Sequence, residues 1–317
     1  HLLMYKNLIV LATVLLVFSC DNSANKKTET LPVKTFMSEG LEREYLLYIP
    51  PSAKQNCPLV FVLHGLGSTN TTIMNYSQMN QVANKNGFAV CYPQGSRSSE
   101  KSIYTDKGSP FWNVGYDTHK NETVDDIEFI TSLAKYLQKD YGFDPEKTFC
   151  SGMSNGGDMS YLLGCQTQNI FKAIAPITGC MMGWIYENCD QNDPIPVFQV
   201  HGTADNTTLY EGDEDNSDNW GAYMGVERSI ALWTKRNKCK TVNIDTLPDT
   251  DPNDGSIVVT HKYSNGVNGN QVWFYKVING DHEWPPGWPK RSGNGDLNTS
   301  EEIWKFFVSD MKNRGVL

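Results

Sequence analysis

The serine in the stretch FCSGMSNGG, residues 149–157, is the side chain whose setting points most directly to chemistry. Gly152 and Gly156 flank Ser154 in the pattern Gly-x-Ser-x-Gly, after a short apolar run and before a helical pattern. In a nucleophile elbow the serine takes a strained backbone conformation so that its hydroxyl stands above the sheet edge, and small neighbours avoid collision. The pattern therefore predicts that Ser154 is a nucleophile on a strand–turn–helix.

A nucleophilic serine needs a base, and the sequence contains six histidines. His64 and His201 each begin a His-Gly pair at the end of an apolar run, where an imidazole more often braces a loop. His119 lies in a polar loop and His261 in an alternating strand pattern, which favours surface positions. His282 follows the run VWFYKVI and the turn NGD, and a loop beyond a strand end is where a base can approach the serine. The sequence therefore predicts His282 as the base.

The third member of the site is a carboxylate that orients the imidazole. The chain order serine, acid, histidine is expected for this architecture, which confines the acid to positions between 154 and 282. The apolar run of residues 196–200 leads straight into the loop that contains Asp205. Asp281 is badly placed to bond the ring of its own neighbour, and Asp193 precedes its strand. We therefore expect Asp205 to be the acid, against the plainer interpretation of an Asx turn.

Two backbone N–H groups are expected to stabilise the oxyanion. One belongs to Asn155, directly after the nucleophile, and the other to the loop that follows an early strand. The stretch VFVLHGLGST provides such a loop, and Leu66 lies between two of its glycines. We place the second donor at Leu66, although a neighbouring amide could also serve.

The bulk composition excludes several classes of partner. The chain of 317 residues has a formal charge of -9, which argues against nucleic acid or an anionic membrane surface as a ligand. No Cys-x-x-Cys or Cys/His group has zinc spacing, and we expect neither a metal nor a cofactor. The acidic run EGDEDNSD in residues 205–219 follows no calcium-loop pattern, so a solvated loop is preferred to a calcium site.

The N-terminal residues predict a targeting signal. Lys6 precedes an apolar run over residues 8–18, which is too short to span a bilayer, and Ser19 precedes Cys20. This pattern resembles a bacterial lipoprotein signal over residues 1–20, with Cys20 lipidated, followed by a polar tether over residues 21–33. Plain secretion and an uncleaved anchor remain open. We expect an exported monomer, periplasmic, at the outer membrane or secreted, which touches a membrane only through its lipid.

Residues 34–317 are predicted to form a single α/β domain. Strand patterns alternate with helical patterns, which indicates a mostly parallel sheet covered by helices on both faces. Residues 249–255 predict a turn before another strand rather than a domain boundary. The predicted strands are residues 43–49, 59–63, 88–92, 148–151, 173–177, 197–200, 257–263 and 272–278, and the predicted helices are 73–84, 124–139, 157–164, 223–236 and 300–311.

The cysteines beyond Cys20 are odd in number, so at least one thiol is expected to stay free. Cys180 and Cys189 bracket a short irregular segment and are the best local pair for a disulfide. Cys91 and Cys150 lie in apolar runs and are expected to be buried as small hydrophobes.

Several of these motifs together resemble one family. The stretches LHGLGST, Trp112-Asn113, ETVDDIEFI, CSGMSNGGDMSYLL, FKAIAPITG, VHGTADNTTLYEG and GDHEWP occur in an order similar to that of esterases related to polyhydroxybutyrate depolymerases and to feruloyl or acetylxylan esterases of carbohydrate esterase family 1. The resemblance covers nearly all of the chain after the tether. It implies an α/β-hydrolase fold without a separate lid domain, and it assigns Ser154, Asp205 and His282 to a catalytic triad.

The resemblance also implies a class of substrate. Trp112, Trp284 and Trp288 are the predicted substrate-binding residues. Trp284 and Trp288 lie beside the base in HEWPPGWP, where flat aromatic rings can stack on sugars or phenolic acids, although they could equally pack the loop. An ester linked to a polysaccharide, or a small ester, is the expected substrate. No linker and separate substrate-binding domain follow the motifs, which argues against solid polyester, and Glu283 is expected to change the charge of the rim. A peptidase, a thioesterase and a glycan-binding lipoprotein without catalysis are the competing interpretations.

Overall fold

The computed structural model describes residues 30–99, 108–167, 170–189, 194–286 and 293–317. The predicted signal peptide with Cys20, most of the predicted tether and Trp288 lie outside these ranges. Within them, no helix combines the length and the apolar character that crossing a bilayer requires.

One large sheet dominates the described part of the chain. The strands in chain order are β1 Lys34–Ser38, β2 Leu41–Tyr48, β3 Leu59–Leu63, β4 Ala89–Pro93, β5 Ser96–Arg97, β6 Pro110–Phe111, β7 Thr148–Met153, β8 Ile174–Ile177, β9 Val197–Gly202, β10 Gly212–Asp213, β11 Tyr223–Met224, β12 Thr241–Thr246, β13 Ile257–Ser264 and β14 Val272–Ile278. Ten of them form the sheet, in the order β1-β2-β4-β3-β7-β8-β9-β14-β13-β12. The pairs β5–β6 and β10–β11 are separate short ribbons.

The centre of the sheet is parallel and its two margins are antiparallel. Strands β4, β3, β7, β8, β9 and β14 run parallel to one another. Their sequences are nearly continuous apolar runs, such as LVFVL in β3, whose five residues are all buried. Strands covered on both faces have this composition because neither face meets water. The antiparallel pairs β1–β2, β2–β4, β13–β14 and β12–β13 form the margins.

Helices cover both faces of the sheet. They are α1 Asn70–Ser77, α2 Met79–Asn86, α3 Asp126–Tyr141, α4 Asn155–Gln166, α5 Gly183–Asn188, α6 Val226–Arg236 and α7 Thr299–Asn313. Side chains of α1, α2 and α7 share one apolar cluster with Val60 and Val62 of β3. Side chains of α3, α4, α5 and α6 share the other cluster with Phe61. The alternation along β3 therefore divides the core into two layers around the sheet.

Several predicted boundaries differ from the observed ones. The single helix expected over residues 73–84 is two helices, because Gln78 adopts a left-handed conformation with φ 56° that interrupts the helical hydrogen bonds. Strands β1 and β12 were not predicted. All six residues of β12 are exposed, so its sequence lacks the apolar pattern that marks a strand.

The disulfide predicted between Cys180 and Cys189 is wrong. Cys189 pairs with Cys165 at the end of α4, where the two Cα atoms lie 4.9 Å apart. Cys180 is a buried free thiol beside the sheet edge. Cys91 and Cys150 are also free and fully buried, as small hydrophobes are. The prediction failed because Cys180 and Cys189 are near in sequence but are not brought into bonding geometry. The packing of α5 against α4 instead brings the Cβ atoms of Cys165 and Cys189 together.

Candidate active site

Ser154 lies at a sharp turn between β7 and α4. Its backbone has φ 55° and ψ −125°, which is a strained conformation for a residue with a side chain. Its N–H donates to the carbonyl of Ile177 on the neighbouring strand β8, at 2.9 Å. A Cβ at Gly156 would lie 2.5 Å from the carbonyl oxygen of Leu63, and one at Gly152 would collide with the backbone of Gly156. Both glycines are therefore required for α4 to approach the sheet closely enough to hold this turn.

Asp205 and His282 meet from loops at the same edge of the sheet. Asp205 follows β9, and His282 follows β14, the strand paired with β9. His282 Nδ1 lies 2.8 Å from Asp205 Oδ2, while Asp205 Oδ1 accepts the N–H groups of Thr207 and Thr208, each at 2.8 Å. The side chain of Asp205 is fully buried, and that of His282 is 17% exposed. The carboxylate thus holds the ring in the tautomer that leaves Nε2 free to accept a proton.

Burial and hydrogen bonding act on Asp205 in opposite directions. Burial raises the pKa of this carboxyl, but hydrogen bonds from His201 and His282 outweigh burial and hold the pKa well below its usual value. Asp205 is therefore ionised at neutral pH, and its negative charge lies beside the ring of His282.

Two cavities meet at Ser154 and His282, and these two residues together with Leu66 line both. The larger cavity has a volume of about 490 Å³. The smaller one, about 330 Å³, is bounded by Ile73, Tyr76 and other residues of α1 and its preceding loop. The structure thus brings Ser154 and His282 to one site and joins Asp205 to it through the hydrogen bond.

The predicted oxyanion donors flank the serine. Asn155 is the first residue of α4, a position whose N–H has no partner within the helix. Leu66 lies in the loop after β3, which the bond from Gly67 N–H to the carbonyl of Pro110 holds at 2.8 Å. A Cβ built at Gly65 would lie 3.4 Å from Ser154 Cβ, so the backbone before Leu66 is in contact range of the serine.

Two of the three tryptophans predicted to bind substrate are buried instead. Trp112 is 0% exposed and its indole N–H donates to the carbonyl of His64 at 2.9 Å. Trp284 is 1% exposed and its indole N–H donates to Ser300 Oγ at 3.0 Å. Neither ring presents a face to a ligand, so both position loops, and Trp288 lies outside the described residues. Glu283, expected at the rim, is also buried and accepts the N–H of Asn294.

Trp220 lines the larger cavity and was not predicted from the sequence. Its ring stacks on Tyr223 at 4.5 Å and meets the edge of Tyr116 at 5.0 Å. Thr118, Thr207 and Thr208 line the same cavity. Trp220 follows an acidic run whose composition predicts a solvated loop, so the sequence did not mark it as a cavity residue.

The acidic loop before Trp220 has internal partners. Asp213 accepts the N–H groups of Ser217 at 2.8 Å and Asp218 at 2.9 Å, and Asn216 donates to Asp117 Oδ2. Among the described residues no three His, Cys, Asp or Glu side chains gather as metal ligands would. These hydrogen bonds fix the conformation of the loop between β10 and β11, in which Trp220 lies.

Asp158, four residues after Ser154, is a second buried carboxyl beside the site. It accepts a hydrogen bond from the hydroxyl of Tyr116 and another from the N–H of Cys180, the latter at 2.7 Å. Burial raises its pKa to about 6, despite these hydrogen bonds. Asp158 thus connects α4 to the cavity wall formed by Tyr116.

The fold and this site define an α/β-hydrolase of the esterase type. A family profile described as "Esterase PHB depolymerase" matches residues 43–211, more than half of the chain. The chain therefore belongs to the esterase PHB depolymerase family, and its homologues support a carboxylic ester hydrolase.

Relatives and solved structures agree with this membership. A probable feruloyl esterase C of Aspergillus terreus is 27% identical over 270 residues, which are 84% of each chain. A bifunctional acetylxylan esterase/xylanase of Neocallimastix patriciarum is 25% identical over 173 residues, 55% of this chain but only 23% of that protein. The acetyl xylan esterase from Aspergillus awamori has a TM-score of 0.58 at 15% identity, over 88% of this chain and 99% of that one, which shows the shared fold. The predicted family and α/β-hydrolase fold are thus confirmed.

Proposed function

We propose that the protein is an exported serine carboxylesterase that forms an acyl-enzyme at Ser154. The observation that carries the proposal is that Ser154 and His282 line the same two cavities while His282 Nδ1 lies 2.8 Å from Asp205 Oδ2. A serine, an imidazole and a buried carboxylate in this relation perform acyl transfer. The lipoprotein-type pattern that ends at Cys20 supports export.

In the first half-reaction Ser154 Oγ attacks the ester carbonyl carbon, and His282 Nε2 takes the hydroxyl proton. The carbonyl oxygen becomes an oxyanion, which the N–H groups of Leu66 and Asn155 stabilise at the positive end of α4. The tetrahedral intermediate then expels the alcohol, which receives the proton from His282. In the second half-reaction water attacks the acyl carbon and gives a proton to His282. His282 then returns this proton to Ser154 Oγ as the bond between Oγ and the acyl carbon breaks and the acid leaves. Asp205 stays ionised throughout and stabilises the imidazolium in both halves.

The two cavities suit the two sides of an ester of a sugar. The larger one has Trp220 in its wall and the exposed hydroxyls of Thr118 and Thr207 at its rim, which suit stacking and hydrogen bonding to a pyranose that continues into solvent. The smaller one is walled by Ile73, Tyr76 and Met153 and suits an apolar, terminal acyl group.

The volume of the smaller cavity favours a bulky acyl group. A water molecule takes about 30 Å³ of liquid, so an acetyl group of three heavy atoms leaves most of 330 Å³ unfilled. We therefore place feruloyl esters first among the substrates, ahead of acetyl groups on polysaccharide and short hydroxyalkanoate esters.

A fluorophosphonate probe together with turnover of p-nitrophenyl acetate tests the mechanism. The wild type labels and turns over, whereas Ser154→Ala does not label and loses on the order of 10⁶ in kcat, as does His282→Ala. Asp205→Asn loses about 10⁴, because the imidazole then takes the wrong tautomer.

Ser160→Ala is the matched control, since Ser160 is a buried serine in α4, the helix after Ser154, and its hydroxyl contacts the carbonyl of Gly156 and the thiol of Cys150. It keeps labelling and turnover. A wild type that neither labels nor turns over contradicts the proposal and favours a glycan-binding protein of the same fold.

A further inference from the structure

Two imidazole rings face the carboxylate of Asp205, although the proposed mechanism uses only one of them. His282 Nδ1 lies 2.8 Å from Asp205 Oδ2, and His201 Nε2 lies 3.3 Å from the same oxygen. His201 is the fifth residue of β9 and is completely buried. Its ring therefore belongs to the rigid sheet, whereas His282 and Asp205 lie on loops.

The amide of Gln199 sets the protonation of this second ring. Gln199 Nε2 donates to the carbonyl of Gly179 at 3.0 Å, and Gln199 Oε1 accepts the hydroxyl of Tyr161. Because a carbonyl only accepts, the amide cannot be flipped. The other hydrogen on Nε2 then points to His201 Nδ1, 3.4 Å away, so that Nδ1 is the unprotonated nitrogen.

The opposite side of the ring leads to the same assignment. His201 Nε2 faces the carbonyl of Thr208 at 2.8 Å and the carboxylate of Asp205. Both partners accept, so Nε2 carries the hydrogen. A second proton on Nδ1 would meet the amide hydrogens of Gln199, which disfavours the cation. The geometry thus favours a neutral His201 whose one N–H is shared between the carbonyl of Thr208, at 2.8 Å, and Asp205 Oδ2, at 3.3 Å.

We propose that His201 and Gln199 are positioning residues that fix the carboxylate of Asp205 and keep a second cation away from it. This inference rests on the proposed function. Two backbone N–H groups hold Oδ1, while His282 bonds Oδ2 and the shared N–H of His201 faces the same oxygen, so rotation of the carboxylate is restricted. A cationic His201 would neutralise Asp205 and remove the stabilisation of a protonated His282, and the amide of Gln199 prevents this.

Sharing one oxygen also moderates the bond to His282. Two donors on a single acceptor weaken each other, because each withdraws negative charge from it. Loss of the His201 donor strengthens the pull of Asp205 on His282 and stabilises its protonated form. The acid limb of the pH profile of kcat/KM, which reports this protonation in the free enzyme, then moves to higher pH.

Other titratable groups face the same site and stay unchanged in the test. Asp158 on α4 and Cys180 after β8 interact electrostatically with His282 and Asp205 respectively, and Asp281 accepts the N–H of His282. A comparison between variants at position 201 therefore isolates the second imidazole.

The matched variants are His201→Gln and His201→Asn, assayed with p-nitrophenyl acetate from pH 4 to 9. Both substitutions place a buried amide at position 201. Only the glutamine side chain is long enough to put an N–H group where His201 Nε2 lies, facing Asp205. His201→Asn moves the acid limb up by about half a pH unit or more and lowers kcat about tenfold, with KM within about twofold. His201→Gln stays within about threefold of the wild type, with its acid limb unmoved.

A second route tests Gln199 without altering the ring. Gln199→Met removes the amide that excludes a proton from His201 Nδ1, so a further ionisation steepens the acid limb. His261→Asn, a control on β13 away from Asp205, leaves the profile unchanged. The inference is overturned if His201→Asn and Gln199→Met both keep the wild-type pH profile of kcat/KM. It is also overturned if His201→Gln loses as much kcat as His201→Asn. If Ser154→Ala keeps its turnover, the proposed function fails instead.

Discussion

At the scale of single residues, Asp158 shows how burial changes a carboxyl that the proposed mechanism does not use. Burial raises its pKa to about 6, against 3.8 for an ordinary aspartate. Between those two pH values the folded protein binds a proton that the unfolded chain does not. Folding stability therefore rises as the pH falls from above 6 toward 4, and the buried charge costs on the order of 3 kcal/mol at higher pH.

Asp158→Asn is expected to raise the free energy of unfolding at pH 8 by up to about 3 kcal/mol and to leave it unchanged near pH 4. The asparagine oxygen can still accept from Cys180, and its amide can donate to the hydroxyl of Tyr116. Urea denaturation at both pH values measures this. Asp140→Asn, at the exposed end of α3, is the control and changes neither value. A lower stability of Asp158→Asn at pH 8 would contradict the cost of the buried charge.

The members of the candidate site that the sequence could indicate are those whose backbone setting is local. Ser154 follows from two glycines around a serine, and Asp205 and His282 follow from their places after apolar strands. The burial of Trp112 and Trp284 depends on neighbours far along the chain, such as His64 and Ser300, so their spacing could not reveal it. The contact of His201 with Asp205 was hidden for the same reason, because it depends on a loop that folds back on its own strand.

At the scale of elements, the disulfide between Cys165 and Cys189 joins the end of α4 to the end of α5. Helix α4 begins directly after Ser154, the proposed nucleophile, so the bond ties the far end of this helix to the core. It closes a loop with a sequence separation of 24 residues, which restricts the unfolded chain and corresponds to about 3 kcal/mol.

Cys165→Ala is expected to lower the free energy of unfolding by about 3 kcal/mol because it opens this loop. Reductant should lower the wild-type melting temperature to a similar degree and leave that of Cys165→Ala unchanged. Cys180→Ala, which removes a buried thiol without a disulfide, serves as the control and keeps the sensitivity to reductant. A wild type that melts at the same temperature with and without reductant would refute the bond.

Elements with a strong apolar pattern were predictable and weakly patterned ones were not. β3, β8 and β9 are buried on both faces, so their composition marks them. β12 is fully exposed and exists because β13 offers it a ladder of hydrogen bonds, which no local propensity records. The break at Gln78 likewise depends on how α1 and α2 pack on the sheet.

At the scale of the whole molecule, the parallel order of the sheet collects the site at one edge. Loops after β3, β7, β9 and β14 supply Leu66, Ser154, Asp205 and His282, because the carboxyl ends of parallel strands lie side by side. The sequence predicted this architecture well, since alternating apolar strands and helices admit few arrangements. It could not show the division of the edge into two cavities, because that depends on the fold of the loop carrying Trp220.

Trp220→Ala is expected to separate large substrates from small ones. It lowers kcat/KM about 10-fold to 100-fold for a feruloylated oligosaccharide, because the sugar loses its stacking partner, and changes turnover of p-nitrophenyl acetate by less than about threefold. Steady-state kinetics with both esters measures the difference.

Trp184→Ala is the matched control, because Trp184 is 40% exposed and does not line the larger cavity. It should leave the ratio of the two activities unchanged. An equal loss on both esters in Trp220→Ala would mean that the ring supports the loop rather than the sugar.

The free thiols have a consequence for handling the protein. Cys57, Cys91, Cys150 and Cys180 are buried, and Cys239 is partly covered. While the chain is folded, oxidants in the surrounding medium have little access to these sulfurs. Once the chain unfolds in air, these five thiols can form disulfides with Cys165, with Cys189 or with one another. The possible non-native disulfides then outnumber the native Cys165–Cys189 bond. Heating should therefore inactivate the protein irreversibly unless a mild reductant accompanies refolding.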